Sequence, residues 1–169
     1  MKNRHIVVIV ILLLGAILMP GCNAILGTAQ VKDGNTVQVN YTGKLADGTV
    51  FDTSVGRIPL EFTLGAGKVI PGFEKAVLGM KSGEKKTVTI PANEAYGPHR
   101  DDLVIEIPRE ELSSGITPQV GQQLQANGDN DSIIIATITK ISDATVTIDA
   151  NHPLAGKDLT FEIELVKIQ

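Results

Sequence analysis

Thr36-Val37-Gln38-Val39-Asn40-Tyr41, followed by Asp47-Gly48 and then Thr49-Val50-Phe51, sets the architecture of this chain. Side chains of an extended chain alternate between two faces. Val37, Val39 and Tyr41 therefore share one face, and the polar residues between them take the other. Asp47-Gly48 has the residue types of a tight hairpin turn. Thr49-Val50-Phe51 reads as the return strand.

Outward from this hairpin the period changes and then changes back. Residues 60–64 read as a further short strand, ended by Gly65 and Gly67. Phe73, Ala76, Val77 and Met80 stand at i, i+3, i+4 and i+7, the apolar stripe of a short helix over 71–80. Pro71 suits its first turn and Gly79 its end. Residues 85–90 resume strand alternation before Pro91. Leu159, Phe161, Ile163 and Leu165 alternate again, with Glu162 and Glu164 outward. The expected frame is α+β: a few antiparallel strands with one short helix on a sheet face. Residues 98–150 have another texture. The stretches 103–107, 132–141 and 144–148 are rich in Ile, Val and Thr and predict strands, and 127–131 predicts a turn.

The first residues read as an export segment. Lys2, Arg4 and His5 precede residues 6–19, apolar throughout except for Gly15. That is a positive n-region and an h-region of secretory length, shorter than the roughly 20 apolar residues of a spanning helix. Gly21-Cys22 follows at once and resembles a lipoprotein cleavage box. The expectation is that residues 1–22 are a signal segment and that Cys22 is lipidated. Residues 23–30 would then be a tether, with the protein exported and held at the outer side of the cytoplasmic membrane or cell surface. A retained anchor helix and a soluble secreted form are the alternatives.

Composition excludes several functions. One Cys rules out a disulfide within the chain. A net charge of −4 without basic clusters argues against nucleic acid as a partner. Gly65-Ala66-Gly67-Lys68 is no phosphate loop, because Phe62 and Val69 stand where that motif needs Gly and Ser or Thr. No Gly-x-Ser-x-Gly elbow occurs, and no residue cluster has zinc-ligand spacing.

Val39-Asn40-Tyr41-Thr42-Gly43, with the run 47–54, resembles the opening hairpin of FK506-binding proteins. Leu64-Gly65-Ala66-Gly67 with Val69-Ile70-Pro71-Gly72-Phe73-Glu74 resembles their helix entry. The run 79–84 is similar to their turn after the helix, and Ala95-Tyr96-Gly97 to their entry into the flap. Asn151-His152-Pro153-Leu154-Ala155-Gly156-Lys157 resembles the SlyD-type branch, which carries an insert in the flap. The likeness runs in unbroken order over 31–169.

This resemblance implies a peptidyl-prolyl cis–trans isomerase with no cofactor and no metal. Its frame would be 31–97 with 151–169, and 98–150 an inserted chaperone-like domain. Tyr41, Asp52 and Tyr96 would be catalytic; Phe51, Val69, Ile70, Phe73 and Phe161 would grip the substrate. Phe73 stands where many relatives with a single catalytic domain carry Trp. The implied partners are unfolded or proline-containing polypeptides, met by a monomer. A His-rich metal-binding tail, frequent in the SlyD type, has no counterpart among His5, His99 and His152. His152, between Asn151 and Pro153, reads as a structural turn residue. A non-catalytic chaperone or binding lipoprotein with a degenerate pocket is the alternative.

Overall fold

The computed structural model describes residues 29–112, 117–127 and 133–169. The signal segment, Cys22, the tether up to residue 28 and most of the turn expected at 127–131 lie outside them.

The hairpin forms as read. β1 (Thr36–Lys44) and β2 (Val50–Thr53) pair antiparallel, with Thr42 opposite Thr53. Asp47 closes the turn by accepting from Thr49 N at 2.9 Å. β3 (Leu60–Thr63) lies on the same edge of β1, Val37 opposite Phe62. The other edge of β1 takes β9 (Leu159–Ile168), and β9 takes β4 (Lys85–Ile90). The last strand thus sits between strands from the first half of the frame. Chain order does not dictate that position; the burial of both strands does. Val37, Val39, Leu159 and Leu165 are all fully buried.

The helix α1 (Pro71–Val77) is seven residues long, with Pro at its first turn. It covers the apolar sheet face, and Phe73, Ala76 and Val77 join Phe62, Ile90 and Ile163 in one core. Each of the Phe, Ile and Val side chains among them contributes about 1.5–3 kcal/mol relative to exposure. The helix stops earlier than its stripe suggests. Gly79 takes φ +80 and turns the chain, yet Met80 stays buried in the core and its carbonyl accepts from Val31 N at 2.9 Å. Gln30 also bridges to Lys81, which ties the start of the described frame to the turn after α1. Gly72 faces β4 so closely that a Cβ would lie 2.3 Å from Ile90 Cγ2.

Between β4 and β9 the chain forms a second antiparallel sheet. Its strands are β5 (Val104–Pro108), β6 (Gln123–Asn127), β7 (Ile133–Ile141) and β8 (Thr145–Asp149), in the order β5-β8-β7-β6. β6 is absent from the sequence expectation, which assigned Asn127 to a turn; Asn127 instead pairs with Ile133. Ile138 and Val146 are fully buried, whereas Ile133, Ile134 and Ile135 are exposed. Leu124, Ile134, Ile148, Ile105 and Ile107 line one open cleft of about 570 Å³.

Two crossover segments join the sheets. Asn151 ties them, accepting from Arg100 N at 2.9 Å and donating to Arg100 O at 2.8 Å. His99 lies between Asp149 and Asp101, at 3.1 and 3.3 Å.

Candidate active site

The frame builds an aromatic cavity at the helix entry. Phe161, on β9, is its hub: the rings of Phe73, Phe51 and Tyr41 lie 5.2, 5.7 and 6.2 Å from its own. Phe73 and Phe51 meet it nearly edge to face, the arrangement that aromatic quadrupoles favour. This approach depends on Gly43, opposite Phe161 across the ladder. A Cβ there would sit 2.5 Å from Phe51 Cζ and 3.0 Å from Phe161 Cε1.

Val69 and Ile70 enter from the turn before α1. Pro71 holds the residue before it extended, and Ile70 has ψ 146. Tyr96 follows a single 3-10 turn, Ala92–Glu94, and is 41% exposed at the rim.

The polar edge is set by β1 and β2. The Tyr41 hydroxyl donates to Asp52 Oδ2 at 2.5 Å, while Asp52 Oδ1 accepts from Thr53 N. Tyr41 is also fixed through its backbone, because Ser54 Oγ accepts from its N–H and Thr53 Oγ1 donates to its carbonyl, both at 2.9 Å. Ser54, which no sequence pattern singled out, is buried. Burial, then the bond to Asp52 and its negative charge, push the Tyr41 hydroxyl up to about 12. The phenol is protonated at neutral pH, and its hydroxyl is committed as donor to Asp52.

All eight residues expected at the site line this one cavity of about 210 Å³: Tyr41, Phe51, Asp52, Val69, Ile70, Phe73, Tyr96 and Phe161. Leu60 and Lys68 line it too and were missed. Leu60 is legible in retrospect, two residues before buried Phe62 on the same strand face; Lys68 carries no local signal. Among the described residues no group of three or more His, Cys, Asp or Glu could hold a metal ion.

Residues 27–166 match the family of FKBP-type peptidyl-prolyl cis-trans isomerases. The chain belongs to this family. It is 40% identical over 154 residues to a short-type peptidyl-prolyl cis-trans isomerase of Methanocaldococcus jannaschii, covering 82% of this chain and 94% of that protein. It is 35% identical over 133 residues to the isomerase SlyD of Treponema pallidum, covering 79% and 75%. FK506-binding protein 2 of Yarrowia lipolytica is 56% identical over 71 residues, which are 41% of this chain and 49% of that one. As an FKBP-type enzyme of the SlyD-like kind, the protein catalyses rotation about peptide bonds preceding proline in polypeptides. The uncatalysed rotation faces a barrier of about 18–20 kcal/mol, because resonance gives the C–N bond partial double-bond character. No covalent bond breaks, so the task is to favour the twisted amide over the planar one.

Proposed function

We propose that the substrate prolyl ring enters the cavity against Phe73 and Phe161, walled by Phe51, Val69 and Ile70. The observation that carries this reading is the convergence of eight side chains from six separate segments on one cavity. The planar amide is the more polar form. An apolar wall that strips its water favours the twisted form, which is the one the enzyme must bind better. Tyr96 donates its hydroxyl to a substrate carbonyl. Asp52, held by Tyr41, offers a fixed negative dipole beside it.

In this reading the second sheet is a docking surface for unfolded chains, which gives the enzyme chaperone activity. Support comes from its open apolar cleft and from Ile133, Ile134 and Ile135, exposed by 67%, 44% and 50%. Ile134 lines the cleft and Ile133 and Ile135 face the other side of β7; exposed apolar surface of this kind marks interaction sites. A chain held there raises the local concentration of its prolines at the pocket. The clients are exported or surface proteins, met by an enzyme tethered through Cys22.

The test replaces residues 101–149 by a short Gly-containing turn. Isomerisation of a short Xaa-Pro peptide is expected to persist. Proline-limited refolding of a whole protein should slow sharply, and suppression of aggregation should be lost. Equal loss on peptide and protein substrates would show that the insert only supports the pocket.

A further inference from the structure

Tyr96 and His152 lie face to face, their ring centroids 3.9 Å apart and their planes within 3°. The two residues are far apart in the chain, and nothing in the local sequence of either calls for the other. Tyr96 is half outside the core and needs something to hold its ring. His152 is itself held. Its Nδ1 accepts from Leu154 N at 3.1 Å, and its carbonyl accepts from Ala155 N at 2.8 Å. The preceding Asn151 is clamped to Arg100 from both sides of its carboxamide. The backbone after Tyr96 is clipped to the same loop, because Gly156 N donates to Gly97 O at 2.9 Å.

We propose that His152 is a positioning residue: its ring fixes Tyr96 in the one rotamer that aims the phenol over the prolyl cavity. An exposed tyrosine otherwise samples several staggered χ1 wells, and only one would serve a bound carbonyl. A stacked neighbour anchored to the backbone removes the others. The inference rests on the reading in which Tyr96 donates to substrate, so the test separates the two.

The full chain is assayed on a short Xaa-Pro peptide in a double-mutant cycle. Tyr96→Phe tests the donor reading. His152→Asn removes the ring but retains a side-chain acceptor for Leu154 N–H, in the manner of an Asx turn. His152→Phe retains a ring without the acceptor. His152→Asn is expected to lower kcat roughly three- to tenfold with KM little changed, and His152→Phe to restore most of that loss. In the Tyr96→Phe background, His152→Asn should have no further effect. The ring protons of Tyr96, one of two tyrosines in the chain, should lose their ring-current shift in His152→Asn. If Tyr96→Phe is slow and His152→Asn slows it further by the same factor, the positioning role is wrong while the donor reading stands. If Tyr96→Phe turns over normally, both fall. Unchanged ring-proton shifts would also overturn the proposal, since the stack would not exist in solution.

Discussion

The hydroxyl of Tyr41 donates to Asp52 at 2.5 Å, joining neighbouring strands at the polar edge of the cavity. Asp52 is exposed and carries no core packing. Asp52→Ala should therefore lower isomerisation several-fold while leaving thermal stability close to that of the parent. A variant that folds and turns over at the parental rate would remove Asp52 from the mechanism.

The same pair makes a pH prediction. Tyr41 ionises at about 12 in the folded protein against 10.0 for an unperturbed tyrosine. A group whose folded pKa is raised contributes stability that is complete below the unfolded value and is lost on passing the folded one. Tyr41 therefore contributes fully at neutral pH and ceases to contribute between 10.0 and about 12. Phenolate absorbance during alkaline titration should show one late tyrosine, moving to lower pH in Asp52→Ala.

His99 is held above the ordinary histidine range, first by its hydrogen bond to Asp149, with the charges of Asp149 and Asp101 adding to it. Its stabilising contribution is complete below the unfolded value of about 6.5 and disappears as pH rises through its folded value. Wild type should melt above His99→Gln at mildly acidic pH, and the two should converge as the solution is made alkaline. A constant gap across that range would mean that the clasp does not depend on the imidazolium.

Phe161 belongs at once to the core and to the cavity. Phe161→Ala should cost about 3–5 kcal/mol of stability and most of the activity. Gly43→Ala should act differently. The new methyl collides with Phe51 and Phe161 rather than with backbone, so it should disturb the cavity for about 1–3 kcal/mol of overpacking. Denaturant unfolding and peptide turnover on both variants separate the two effects.

On the proposed reading in which Cys22 carries the anchor, Cys22→Ser should abolish lipidation, leaving the precursor unprocessed or the protein released. A single acyl chain binds membranes only marginally, so stable tethering requires a doubly lipidated Cys22 or a retained apolar segment. Mass spectrometry of the membrane fraction decides this; an unmodified, soluble mature form would end the anchor reading.

The frame was largely legible because its signals are local. Val37 and Val39 are buried as a period of two requires, and Phe73, Ala76, Val77 and Met80 as a helical stripe requires. β6 was not legible. Gln123-Leu124-Gln125-Ala126-Asn127 contains no β-branched or aromatic residue, the types that enrich strands. It becomes a strand because β7 offers it an open edge, with Leu124 opposite Ala136. The eight cavity residues came from resemblance, since periodicity alone reads Phe51, Val69, Ile70 and Phe161 as ordinary core.

Backbone periodicity, turn chemistry and the Pro71 and Gly79 boundaries are properties of residues within a few positions of one another. The amino-acid sequence by itself therefore determined the strands of the frame, where the helix would start and which faces of those elements would be buried. Only the tertiary structure decided that β9 would lie between β1 and β4, bringing Phe161 beside Gly43 and Val88. It alone set His152 against Tyr96. Those pairings join residues far apart in the chain, and they arise only when the sheet closes and its apolar face finds α1. No local pattern records them.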